Sequence, residues 1–149
     1  MTRFSLDANV LVYAADLSAG ERHERALDIL DRAVRRDCVL TLQALAEFFY
    51  VTTRKRMVAG AEAAAQLRDW ATEFPTISVD ASALWTALEF TVDGRFGWWD
   101  ALILATAERH GCEIVLSEDM HDGARLGGLT VLDPFSGEAL PERVAELLR

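Results

Sequence analysis

Four acidic residues that interrupt or end apolar runs are the residues of this chain best suited to chemistry. Asp7 directly follows the apolar run of residues 4–6 and stands two positions before the carboxamide of Asn9. The other three lie within or just after apolar runs at residues 42–49, 98–104 and 114–117, and they are Glu47, Asp100 and Asp119. An ionised side chain is costly to bury without a partner. One such acid could simply be a helix cap or a hydrogen-bonded core group, but four of them favour a shared functional site.

The expected positions of these acids depend on a sheet of parallel strands. If residues 4–6 form a buried strand and residues 10–15 begin a helix, Asp7 and Asn9 lie at the carboxyl end of that strand, where open α/β sheets bind ligands. Asp119 follows another predicted strand. Glu47 and Asp100 fall on helices that can lean over the same sheet edge. This edge is where we expect metal and phosphate chemistry.

Strands and helices are predicted to alternate along the whole chain. The predicted strands cover residues 4–6, 38–41, 76–79, 113–117 and 130–132. The predicted helices cover residues 10–15, 21–36, 42–56, 61–74, 83–92, 98–110 and 141–149. Such alternation is typical of an α/β fold with a parallel sheet, here of about five strands, and helices on both faces. With 149 residues and no linker or repeat, residues 1–149 are expected to form a single domain.

Four segments of the sequence resemble the PIN-domain family, in particular the VapC-type ribonuclease toxins of bacterial toxin–antitoxin pairs. They are LDANVLVYA at residues 6–14, the Glu of LAEFF, the Asp of WWDALILATA and the Asp of LSEDMHDG. In the family's order and spacing they extend from about residue 4 to residue 135. The resemblance implies a PIN-like three-layer sandwich and a metal-dependent endoribonuclease that acts as a toxin, with Mg²⁺ as cofactor and Mn²⁺ as a substitute.

The resemblance also assigns roles to individual residues. It implies that the four acids bind the metal and are catalytic: Asp7, Glu47, Asp100 and Asp119. Asn9 and Ser117 are then hydrogen-bonding groups that support these ligands. The family commonly has Asp-Phe after its last acid, whereas this chain has SEDMHDG, so Glu118 and Asp122 also stand as possible accessory acids. The fourth position is therefore open, with Asp119 aligning best.

Partners follow from the same resemblance together with the charge. The formal net charge of −9 argues against a free-standing basic nucleic-acid binder, because contacts to phosphate need Lys or Arg. It permits a nuclease whose acids are neutralised by bound cations, and it suits a partner that brings positive charge. We expect an RNA substrate, a cognate antitoxin that places an Arg or Lys near the acids, and a homodimer.

Composition excludes several other classes of protein. A hydrophobic fraction of 51% excludes a disordered chain. No apolar run approaches the roughly 18 residues of a membrane span, and Arg3 and Asp7 interrupt the N-terminus as a signal peptide, so a cytoplasmic location and no membrane partner are expected. Cys38 and Cys112 lack the spacing and neighbouring histidines of a zinc site, which predicts reduced core residues.

Two other functions compete with this interpretation. A haloacid-dehalogenase-like phosphatase also begins with a strand that ends in Asp, but it needs a second Asp where Asn9 stands and a supporting lysine, and Lys55 is the only lysine. A catalytically inactive PIN-like RNA-binding or scaffold module is the second alternative. All four acids are present here, which favours the enzyme.

Three further groups have a structural and a functional interpretation. The arginines of the helix at residues 21–36 are more readily a solvated face than an RNA contact. The basic run at residues 54–56 suits the carboxyl end of a helix, where cations are favourable, with substrate contact as the alternative. Trp98 and Trp99 are predicted to pack in the core or between subunits, although exposed aromatic rings can also stack on bases. His121 is expected at the surface without a catalytic role.

Overall fold

Short apolar segments form a mixed six-stranded sheet in the computed structural model, which describes residues 1–149. The strand order is β3-β2-β1-β4-β6-β5, with every neighbouring pair parallel except β5 and β6. The strands are β1 (Phe4–Leu6), β2 (Cys38–Thr41), β3 (Thr76–Ile77), β4 (Ile114–Leu116), β5 (Arg125–Leu126) and β6 (Leu129–Leu132). The predicted α/β class with a central parallel sheet is confirmed, with one more strand than the five expected and one antiparallel pair.

Seven α-helices connect and flank these strands. They are α1 (Ala8–Ala15), α2 (Glu21–Ala33), α3 (Leu42–Arg54), α4 (Gly60–Glu73), α5 (Ala81–Val92), α6 (Trp98–Arg109) and α7 (Glu142–Leu147), and a 3₁₀ turn at Leu17–Ala19 separates α1 from α2. Residues 101–107 of α6 are all buried, which explains the nearly continuous apolar sequence of that helix. Alanines of α5 and α6 pack together in a smaller apolar cluster beside the main core.

The central strand β1 is buried along its entire length. Its residues pair in parallel with β2 on one side and with β4 on the other, and Phe4 and Leu6 have no exposed surface. A parallel strand that is covered on both faces reads as a continuous apolar run. The polar residues that follow β1 are therefore held against a rigid core.

The differences from the sequence prediction include one helix and one strand that are shorter than expected and one strand that was not predicted. Helix α2 stops at Ala33, because the N–H groups of residues 35 and 36 bond to the carbonyl three residues earlier instead of four, before β2 begins. Strand β3 has only two residues, since it lies at the sheet edge and Asp80 already caps α5 by accepting a hydrogen bond from Ala83 N–H. The sixth strand, β5, was not predicted; it pairs antiparallel with β6 across Gly127 and Gly128.

Two expectations about the chain as a whole can be compared with the structure. Cys38 and Cys112 are both free and buried, as expected for reduced core residues. None of the helices is long and apolar enough to cross a membrane.

Adjacent phenylalanines on α3 provide a test of the packing. Phe48 is completely buried and meets Trp70 of α4 edge to face, with ring centroids 4.8 Å apart, whereas Phe49 is 38% exposed. Replacing Phe48 by Ala should lower the free energy of unfolding by about 3 to 5 kcal/mol, because it leaves a cavity in the core. The matched change Phe49→Ala should cost much less. Urea denaturation of the two variants measures the difference, and equal losses would contradict the packing described here.

Candidate functional site

The sheet register brings the two strand ends that carry polar residues side by side. Leu6 is paired with Leu116, so Asp7 and Ser117 both leave the sheet at the same level. Asp7 N–H donates to Leu116 O at 2.9 Å, and Ser117 N–H donates to Leu132 O at 3.0 Å. Because the carboxyl ends of parallel strands meet at one edge, two residues that are 110 positions apart in sequence become neighbours.

The carboxylate of Asp7 is buried and fully engaged in hydrogen bonds. It caps α1 by accepting a bond from Ala8 N–H at 2.8 Å, and its other oxygen accepts from Ser117 Oγ at 2.7 Å and from Asn9 Nδ2 at 3.3 Å. Asn9 Nδ2 also donates to Ser117 Oγ at 3.1 Å. Asn9 and Ser117 thus both hydrogen-bond to the Asp7 carboxylate and to each other.

Burial nevertheless raises the pKa of Asp7 to about 6. The loss of hydration exceeds the lowering by Ser117 and Ala8, and the negative charges of Glu47 and Asp100 raise the pKa further. Only 6% of Asp7 is exposed. This carboxylate thus lacks a positive partner in the protein itself.

The structure gathers all four predicted acids around one depression, which we call the acid cleft. It has a volume of about 340 Å³, and its lining includes Asp7, Glu47, Asp100 and Asp119. Asn9 and Tyr13 also line it, as does one cation, Lys55. No His or Cys does so.

Glu47 reaches the acid cleft from the first half of α3. That helix begins directly after β2, where Thr41 caps it by accepting a hydrogen bond from Ala44 N–H at 3.0 Å. A carboxylate in this largely apolar setting needs a partner. Gln43, one turn earlier, supplies a neutral one: its Nε2 donates to Glu47 Oε1 at 3.0 Å and to the backbone oxygen of Trp99 at 2.9 Å.

Gln43 is a site residue that sequence reasoning missed. It ties α3 to the first turn of α6, immediately before Asp100. The signal was present, because residues four apart on a helix lie on the same face and a Gln–Glu pair at this spacing can hydrogen-bond. The distance between Glu47 and Asp100 is therefore constrained through Gln43.

Asp100 and Asp119 face the acid cleft from α6 and from the loop after β4. Partial burial raises the pKa of Asp100, and the negative charge of Asp119 raises it further. The same two acids also line a second cavity of about 520 Å³ on the other side, beside Arg95 and Arg125. His121 lines that cavity as well and is exposed, which agrees with a surface position.

The two accessory acids are occupied elsewhere. Glu118 accepts hydrogen bonds from the Tyr13 hydroxyl and, at 2.7 Å, from Arg22 Nε. Asp122 accepts from Asp133 N–H at 2.8 Å. Asp119 makes no hydrogen bond or ion pair and lines the acid cleft, so it is the acid of this loop best placed to complete the set.

The acid cleft suits a hydrated divalent ion better than an ion held by protein atoms alone. No group of three or more His, Cys, Asp or Glu side chains is close enough together to coordinate one ion. Mg²⁺ prefers hard oxygen ligands, keeps several waters and usually takes only one or two carboxylates directly. The raised pKa values of Asp7 and Asp100 indicate carboxylates that lack positive charge. The donor set thus fits Mg²⁺ or Mn²⁺ in chemistry and charge.

The structure also shows the surroundings of the α2 arginines and of the two adjacent tryptophans. Three arginines of α2 have partners within the protein: Arg22 pairs with Glu118, Arg32 with Asp28, and Arg25 donates to backbone oxygens of residues 134, 136 and 137. Trp98 packs on the cluster of α5 and α6 as predicted, but Trp99 is 64% exposed and does not pack in the core.

The raised pKa of Asp7 predicts how the stability of the metal-free protein depends on pH. Since the folded pKa of about 6 lies above the usual 3.8, folding favours the protonated acid. The contribution of Asp7 is therefore most favourable below the unfolded pKa and is lost as the pH rises through about 6, by up to about 3 kcal/mol.

The variant Asp7→Asn retains a good helix cap and cannot ionise. Its free energy of unfolding, relative to wild type, should increase between about pH 4 and pH 7 when both are measured by denaturation in EDTA. A difference between the two proteins that stays constant over this range would contradict the buried, uncompensated carboxylate.

Solved structures with a similar fold include proteins of toxin–antitoxin systems. VapBC2 from Rickettsia felis, solved with a promoter DNA fragment, is 16% identical with a TM-score of 0.65, and the match covers 89% of this chain and 98% of that one. VapC20 of Mycobacterium tuberculosis, a sarcin–ricin loop cleaving toxin, is 21% identical with a TM-score of 0.63, over 78% and 91% of the two chains. A toxin–antitoxin complex from Klebsiella pneumoniae is 22% identical with a TM-score of 0.63, over 88% and 97%.

Sequence comparison gives the family directly. No curated protein sequence matches the chain significantly. The family model described as PIN domain matches residues 5–122, a segment that contains all four acids of the cleft. The chain therefore belongs to the PIN-domain family, as the motifs of its sequence predicted.

Proposed function

We propose that this protein is a Mg²⁺- or Mn²⁺-dependent endoribonuclease and the toxin of a toxin–antitoxin pair. The observation that carries the proposal is the convergence of four carboxylates on one cleft at the carboxyl end of β1, beside Asn9 and Ser117. The cleft contains no His or Cys that could serve as a general base or nucleophile. Acid oxygens in this number suit metal-assisted hydrolysis of a phosphodiester.

Each residue has a defined part in this proposal. Asp7, Glu47, Asp100 and Asp119 would hold the metal, directly or through its waters. When bound, the metal would activate water for attack on the phosphate and neutralise charge on the phosphate and on the leaving oxygen. Ser117, Asn9 and the N-terminus of α1 fix the orientation of Asp7, while Gln43 fixes that of Glu47. Water is the nucleophile, so no covalent intermediate forms.

Two partners belong to the same proposal. The structural neighbours include VapBC assemblies and a toxin–antitoxin complex, which supports an antitoxin as the partner of this chain. A guanidinium matches paired carboxylates in charge and geometry, so an antitoxin Arg or Lys placed in the acid cleft would inhibit the enzyme. We also propose that the protein forms a homodimer. The inactive RNA-binding or scaffold module is less favoured, because no acid of the cleft is missing.

Melting curves separate a metal site from four unrelated acids. The carboxylates repel one another in the metal-free protein, and Asp100 makes no capping hydrogen bond that its replacement would lose. Without metal, Asp100→Asn should therefore melt above wild type. Metal should reverse this order, since a ligand specific to the folded state stabilises by about 2.7 kcal/mol at a hundredfold excess over Kd. Equal shifts by metal in both proteins, measured against EDTA, would exclude the site.

Cleavage assays test the enzyme itself. Purified wild type should cleave RNA in Mg²⁺ or Mn²⁺ and lose this activity in EDTA. Asp100→Asn and Asp119→Asn should each reduce the rate by about 100-fold or more, because each removes a charged group that holds the metal.

The matched control is Asp122→Asn, which changes the same charge in the same loop, outside the acid cleft. Its rate should stay near that of wild type. Strong cleavage in excess EDTA would refute the metal mechanism. An equal loss in Asp119→Asn and Asp122→Asn would refute the assignment of Asp119.

A further inference from the structure

The carboxyl end of α3 carries positive charge to the edge of the acid cleft. Lys55 is the only cation in a lining that includes five acids, the four of the cleft and Asp16. It nevertheless forms no ion pair or hydrogen bond with any of them, and neither does its neighbour Arg56. Both side chains are exposed. Their charges are therefore available to an anion that comes from outside the protein.

The backbone at Arg56 is strained. Its φ is +56°, and it is the only non-glycine residue of the chain with a positive φ. An L-residue with a side chain is disfavoured in this left-handed conformation, which is why glycine is usual directly after a helix. An arginine at this position costs stability that a glycine would recover.

Hydrogen bonds after α3 keep Arg56 in this conformation. Arg56 N–H donates to Thr53 O at 3.2 Å and Met57 N–H donates to Thr52 O at 2.9 Å, the pair of bonds that defines a Schellman motif. The motif turns the chain so that Met57 lines the acid cleft and Val58 packs against the core. Lys55 and Arg56 thus lie next to each other in the turn that ends α3.

The third cation of the run is engaged within the helix. Arg54 hydrogen-bonds to the Tyr50 hydroxyl and lies over the Tyr50 ring, with its guanidinium carbon 5.5 Å from the ring centroid. Arg54, in the last turn of α3, is by itself enough to provide the favourable interaction between a cation and the helix dipole. It does not explain why Lys55 faces an acidic cleft or why Arg56 is strained.

We propose that Lys55 and Arg56 form a binding site for backbone phosphate of single-stranded RNA at the edge of the acid cleft. This inference rests on the proposed nuclease function and adds to it the position of the substrate. Lys55 directly follows α3 and is eight residues beyond Glu47, which is about 12 Å along the helix axis. The phosphate that it contacts is therefore a neighbour of the one that is cleaved. These cations offset the repulsion between RNA and the four carboxylates.

The first experiment measures binding of a short single-stranded oligoribonucleotide by fluorescence anisotropy in EDTA over a range of salt concentrations. Lys55→Met should weaken binding about fivefold at low salt, and it should reduce the slope of log affinity against log salt by about 0.7, the value for one lost phosphate contact on a single strand. The matched control is Arg35→Met. Arg35 is exposed, forms no ion pair and precedes β2, so it lies at the end of that strand opposite to α3 and the acid cleft. This variant should leave the slope unchanged.

The second experiment uses the strain at Arg56. Arg56→Gly and Arg56→Ala both remove the charge and should both weaken RNA binding. Only the glycine variant also relieves the backbone, so only Arg56→Gly should raise the Tm, by about 2 °C or more. A purely structural turn would show the rise in Tm without any loss of RNA binding.

The outcomes distinguish this site from the nuclease proposal. RNA binding that depends on Lys55, in a protein that cleaves no RNA with Mg²⁺ or Mn²⁺, would support the phosphate site and refute the nuclease. Cleavage by wild type together with unchanged RNA binding by Lys55→Met would support the nuclease and refute the phosphate site. Failure of wild type to bind the oligoribonucleotide at any salt concentration would overturn the site, and so would equal effects of Lys55→Met and Arg35→Met.

Discussion

The structure around the acid cleft depends on one buried carboxylate. Asp7 follows the central strand directly, and both neighbours of that strand are in place, so its side chain cannot move into solvent without disturbing the sheet. Hydrogen bonds from Ala8, Ser117 and Asn9 fix its orientation but leave its charge uncompensated. The loss of hydration on burial has a larger effect than these hydrogen bonds, so the pKa of Asp7 is raised. A bound cation is the partner that would remove this cost.

The other acids add further negative charge to the cleft, and they differ from Asp7 in how deeply they are buried. Asp7 is the most buried of the four, Asp100 is intermediate, and Asp119 is exposed, without a partner, and close enough to raise the pKa of Asp100. A rigid inner carboxylate with more accessible outer ones suits an ion that keeps part of its hydration shell. The electrostatic repulsion lowers the stability of the fold and would provide affinity for the metal that we propose, so stability and the proposed function would oppose each other at this edge of the sheet.

The sequence predicted those parts that depend on local pattern. Buried parallel strands are continuous apolar runs, so β1, β2 and β4 were found, and the acids that end or interrupt apolar runs identified the cleft. The short antiparallel strand β5 was missed because two residues carry no periodicity, although the Gly-Gly pair between β5 and β6 is a hairpin signal. The choice between Glu118 and Asp119 needed tertiary structure. The two acids differ because Tyr13 and Arg22, which are far away in sequence, hydrogen-bond to Glu118 and not to Asp119.

Helix α3 illustrates how one element can set several distances at once. Thr41 fixes its start at the end of β2, Gln43 joins it to α6, and the turn at Arg56 fixes its end. Because a helix is rigid over this length, Glu47 and Lys55 keep a constant separation on the side of the cleft. A strand of RNA that follows α3 would meet a carboxylate first and a cation about two turns later. In the proposed nuclease, helix α3 would therefore set the distance between the cleaved bond and the bound phosphate.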